Sequence, residues 1–168
     1  MMHSPQAEMR KKLIQECARV KQNSEYNAES HYTIAKDNKG LAFGLQVVPS
    51  LVTVGASSFL VVGQAVPAWW GWAVMIAALV TAYGNVKNPL KDYYDHWTAA
   101  NSYTTLKNDA RFLGEVLAEG MDDKMLAEAT KALHNRYNCL TGNTPPIDDS
   151  AFMEARKKIH AGIHEPDK

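Results

Sequence analysis

No aspartate, glutamate, lysine, arginine or histidine occurs in residues 40–86, a gap of 47 residues in a chain of 168. All 18 basic and all 18 acidic side chains lie outside it. A bilayer core of about 30 Å takes about 20 helical residues, so the gap is long enough to cross a membrane twice. It divides at Gly63-Gln64-Ala65-Val66-Pro67, which leaves Leu41–Val62 as a first span and Ala68 to Gly84 or a little beyond as a second. The alternative is a buried soluble hairpin, but a chain this short has little protein with which to cover two fully apolar helices.

Other absences narrow the function. The only cysteines, Cys17 and Cys139, are far apart and stand in no metal-ligand spacing, which argues against a zinc site and against a disulfide framework. Neither flank is basic enough to attract a nucleic-acid backbone: residues 1–39 carry seven basic and five acidic groups, residues 87–168 eleven and thirteen. Met1–Gln22 has no apolar core followed by a small-residue cleavage site, so the first span is expected to act as its own insertion signal. Gly-rich phosphate loops, nucleophile elbows, repeats and low-complexity tracts are missing. His160 and His164 share the i, i+4 spacing of a metal pair, yet no carboxylate motif completes it. Asp95 and His96 are adjacent and therefore point to different faces of one helix, which argues against a dyad there. No catalytic residue, cofactor or metal is expected, and the chain does not read as an enzyme.

What is present is helical. The expected fold is all-α: a two-span transmembrane hairpin (40–86) between a cytoplasmic N-terminal helix (1–39) and a cytoplasmic helical region (87–168). Met9, Leu13, Cys17, Val20, Ser24, His31 and Ile34 form an apolar-to-small stripe along residues 6–38, and Gly40 suggests a break or joint at the membrane face. Asn88-Pro89 permits a kink or a new helix start, with helical pattern on to Glu119 and closure at Gly120. A further helix is expected over Met121–Leu140, and a last one from Ala151 to about Gly162, capped by Asp148 or Asp149. Lys36 and Lys39 precede the spans, Lys87 and Lys91 follow them, and the intervening turn is uncharged. The positive-inside rule then puts both termini in the cytoplasm.

Within the first span, Gln46, Ser50, Thr53, Ser57 and Gln64 fall in a wedge of roughly 60° on a helical wheel, with Leu60 the apolar residue in the same stripe. Two readings stand. Uncharged polar side chains act as glue between packed membrane helices, or they line water in an oligomeric pore with Leu60 as its hydrophobic gate. In the second span Ala73, Ala77, Thr81 and Asn85 recur at steps of four, a small-residue packing face. Pro49 is a candidate bend. One hairpin encloses no lumen, so a pore requires several copies.

This layout resembles the SLATT family, small bacterial two-transmembrane effector domains associated with nucleotide-sensing defence systems. The resemblance covers nearly the whole chain. It rests on Ala28, His31, Tyr32 and Ala35 ahead of the first span, the tight hairpin, Tyr93-Tyr94-Asp95-His96-Trp97 after it, and the tail from Pro145-Pro146-Ile147-Asp148-Asp149 to Ser150-Ala151-Phe152-Met153-Glu154-Ala155-Arg156. It implies a homo-oligomeric effector of the bacterial inner membrane, triggered by a nucleotide second messenger or a cytoplasmic sensor, that perforates the membrane and arrests or kills the cell. No sensor domain is fused here, so the trigger is expected to bind the cytoplasmic helices or to arrive with a partner; its binding site is unassigned. Arg111, Arg136, Arg156, Lys157 and Lys158 are the cations available to a phosphate, unless they are simply solvated helix faces. The competing expectation is a membrane-anchored interaction module that recruits a cytoplasmic partner and conducts nothing.

Overall fold

The structure, a computed structural model, describes residues 5–61 and 67–162. Among them every regular element is helical: α1 (Pro5–Val61), α2 (Ala68–Lys87), α3 (Pro89–Phe112), α4 (Asp123–Asn143) and α5 (Asp149–His160). Between α3 and α4 the chain forms a π-helical turn, Leu113–Leu117, and a short 3₁₀ turn, Ala118–Gly120. Gly40 does not break α1, which is assigned without interruption through both Gly40 and Pro49. A glycine lowers helix propensity by only about 1 kcal/mol, a local cost that does not interrupt a helix of 57 residues. The expected junction at Gly63–Val66, with Gln64, lies outside the described residues.

Helix ends follow the local chemistry. Asp122 caps α4 by accepting the Met125 amide at 2.8 Å, and Asp148 caps α5 by accepting the Ala151 amide at 2.7 Å. Asn88 ends α2 in a left-handed conformation (φ 45°), its amide donating to the Gly84 carbonyl at 2.9 Å, and Pro89 opens α3. Asparagine is one of the few side chains that tolerate this region. Helix α4 runs to Asn143, past the expected end at Leu140, with the side chains of Thr141 and Asn143 bonded back to the carbonyls of Tyr137 and Cys139.

The chain divides into two compact units, Met1–Ile34 with Asp95–Lys168, and Ala35–Tyr94. In the first, the α1 stripe supplies the core: Cys17 and Val20 pack with Leu106, Ala110, Leu126 and Leu133, and Ser24 and His31 are also buried. Met9, the first member of the stripe, is exposed. Gly114 in the π turn lets the chain approach α1 closely, since a Cβ there would sit 3.1 Å from that of Cys17. The Arg10 guanidinium gathers the carbonyls of Ala118 and Met121 and the carboxylate of Asp123, satisfying acceptors that the end of a helix leaves open. Helix α5 docks through Ala151 and Ala155, with Phe152 against the Tyr26 ring and Lys158 bonded to Thr33 and paired with Glu29. Both cysteines are free thiols, Cys17 buried and Cys139 exposed.

Candidate functional site

In the unit Ala35–Tyr94, the two helical segments pack antiparallel. Gly84 lies against Leu45 and Gly55 against the Trp70 ring: a Cβ added to Gly84 would meet that of Leu45 at 3.3 Å, and one added to Gly55 would meet the ring at 3.2 Å. Of the small-residue stripe, Ala77 is buried and Ala73 half-buried in this packing, whereas Thr81 and Asn85 are exposed. Thr81 and Asn85 line an open cleft of about 350 Å³ together with Gln46 and Ser50 from α1, Gly84 and Asn88. The polar stripe of the first segment and the small-residue stripe of the second thus share one cleft over part of their length. Thr53 and Ser57, further along α1, are exposed. Gln64 and the Leu60 side chain lie outside the described residues.

The hydroxyls of this unit are satisfied locally. Ser50 donates to the Gln46 carbonyl at 2.7 Å, Thr53 to Pro49 at 2.9 Å, Ser57 to Thr53 at 2.9 Å, and Thr81 to Ala77 at 2.9 Å. A serine or threonine bonded to its own helix has no need of a partner across the interface. Each can therefore face an apolar or an aqueous neighbour at low cost. Most large apolar side chains here are exposed, among them Phe43, Leu51, Val54, Trp69, Trp72, Ile76 and Leu79.

The other unit holds a group that the sequence does not reveal. His31 of α1 and His96 of α3 face each other with their Nδ1 atoms 2.8 Å apart, His31 fully buried and His96 8 % exposed. The Tyr103 ring stacks on His31, centroids 5.6 Å apart and planes at 16°. The hydroxyl of Tyr103 lies 3.3 Å from both Thr141 and Thr144, which ties the group to α4 and its exit. Burial, followed by the charge of His96, pushes His31 down to about 4. The sequence offered His31 as one member of a helical stripe and His96 as a neighbour of Asp95, and both among the residues that carry the family likeness, but not as partners. The partners are 65 residues apart, a distance over which helical periodicity carries no information.

The cations available for a phosphate prove to be engaged in part. Arg136 pairs with Asp109 at 2.5 Å, and Lys158 with Glu29 and Glu154. Among the described residues no three or more His, Cys, Asp or Glu side chains gather as a metal site. One described helix, within residues 6–58, is long and apolar enough to cross a membrane by length and composition. No protein-family model, no curated protein and no solved structure matches this chain.

Proposed function

We propose that this chain is a two-span protein of the bacterial inner membrane that assembles as a homo-oligomer, forms a pore and serves as the effector of a nucleotide-signalled or sensor-triggered antiphage defence system. Both termini and the charged helices are cytoplasmic in this reading. Its main support is the contrast between the two units. Most of the buried apolar core belongs to the unit Met1–Ile34 with Asp95–Lys168, while the charge-free stretch 40–86 exposes Phe43, Leu51, Val54, Trp72 and Leu79, each by more than 60 %. Exposed apolar surface on that scale suits lipid or neighbouring subunits rather than water. The aromatic residues support a span over α2: Trp69 and Trp72 stand at its start and Tyr83 near its end, the levels of two membrane interfaces.

The pore rests on the polar stripe. Thr53 and Ser57 are exposed, self-satisfied and uncharged, which suits a lumen lined by one helix from each copy. The family likeness supplies the defence context and the expectation of a trigger. A second reading, the non-conducting anchored module, draws support from Phe112, Val116, Leu117 and Met125, apolar side chains exposed on the charge-bearing unit where a cytoplasmic partner would dock. Reporter fusions at Met1 and Lys168 and a tag at Ala65 test the topology. The proposal expects the first two inside and the third outside; a cytoplasmic signal at Ala65 rejects the hairpin. Depolarisation of cells that make the protein separates the pore from the module.

A further inference from the structure

We propose that the His31–His96 pair is a proton-operated latch: it clasps α1 to α3 when neutral and releases them as it takes up protons. The clasp joins the helix that enters the first proposed span to the helix that leaves the second. As a regulator of the pore the latch rests on the reading above; as a device within the charge-bearing unit it does not.

In a neutral pair one Nδ1 donates and the other accepts across the 2.8 Å gap. The other ring nitrogen of His31, Nε2, is buried and has no hydrogen-bond partner. The neutral pair is therefore most stable with His31 donating through Nδ1, since a bare buried lone pair costs less than an orphaned N–H. A proton on His96 puts hydrogen on both of its nitrogens. His31 must then accept at Nδ1 and carry its own hydrogen at Nε2, where nothing receives it. A second proton, on His31, sets two N–H groups face to face. The first proton makes the bond itself charge-assisted but leaves a buried N–H without a partner, and the second abolishes the contact and releases the clasp.

The surroundings decide which ring is charged first. Tyr103 covers His31 from α3 with the face of its ring. Asp148, at the start of α5, is held below the usual carboxylate range by the Ala151 amide, then the Ser150 hydroxyl and, to a lesser extent, the charge of His96. Its carboxylate stays ionised into acid and favours the proton on His96. Lys158 of α5 is paired with Glu29 and bonded to Thr33, two residues to either side of His31 on α1. His31, fully buried, takes its proton last.

The test uses the full chain in detergent micelles, where no conduction is needed. Spin labels on cysteines replacing the exposed Asn23 and Thr105, in a Cys139→Ser background, report the α1–α3 separation by pulsed electron resonance. A single distance is expected at pH 7.5, with a longer population growing from a trace to the majority as pH falls from 6.5 towards 4, reversibly. The double variant His31→Asn with His96→Asn replaces the clasp by two amides that do not titrate, and its distance should not respond to pH. A wild-type distance constant down to pH 4, or the same acid response in the double variant, overturns the latch. Should the double variant lose its helical circular dichroism, ring ¹⁵N spectra of the wild type decide: His31 protonating far below His96 supports the clasp, and both rings titrating independently near 6.5 refute it. A membrane-conductance failure alongside a positive distance result would reject the pore and leave the latch.

Discussion

His31 gives the chain a measurable pH dependence. Its folded value of about 4 lies below the ordinary 6.5, so between these values the unfolded chain binds more protons than the folded one. Stability is therefore full above pH 6.5 and declines as the medium is acidified towards pH 4, by about 3 kcal/mol at most from this group. Thermal unfolding followed by circular dichroism should show the fall, and His31→Asn should flatten it. Gly114 offers a second residue-scale check. A side chain there must displace Cys17, whose Cβ already stands 3.1 Å from the added carbon. Gly114→Val should cost about 1–3 kcal/mol by overpacking, and an unchanged melting temperature would show that the π turn yields freely.

At the scale of elements, Ala77 stands inside the α1–α2 packing rather than on a free face. Ala77→Leu should therefore loosen the hairpin by about 1–3 kcal/mol, visible as faster proteolysis in detergent, as well as altering the size of any assembly. Oligomers that shrink while the hairpin keeps its protease resistance would place Ala77 between copies instead. Element boundaries were largely legible because their signals are local: Asp122 and Asp148 are caps, Asn88-Pro89 separates two helices, and Gly120 ends a run. The continuity of α1 through Gly40 was not legible, since Asp37, Asn38 and Gly44 beside it are also weak helix formers and the local signal alone favours a break. The π turn was equally hidden. It answers to the close approach of Cys17 and to the carbonyls that Arg10 gathers, both more than 90 residues away in sequence. The polar stripe was readable by periodicity, but its sharing of a cleft with Thr81 and Asn85 depends on how two helices are rotated against each other, which periodicity does not set.

For the whole molecule, the proposed function depends on what Thr53 and Ser57 face once copies assemble. If they face water, Ser57→Asp adds a ring of carboxylates to the lumen and leaves insertion nearly intact. If they face lipid or a packed helix, the same aspartate costs about 2.5–3.5 kcal/mol near a helix centre, and yield and assembly should fall. Leu60→Ser should raise the leak of an untriggered pore if Leu60 is its hydrophobic gate. The most direct measurement is the reversal potential of purified protein in planar bilayers under a salt gradient, wild type against Ser57→Asp. The pore account predicts stepwise conductance for both proteins and a shift towards cation selectivity in the variant. Inserted, oligomeric wild-type protein that carries no current in the presence of its trigger would contradict it.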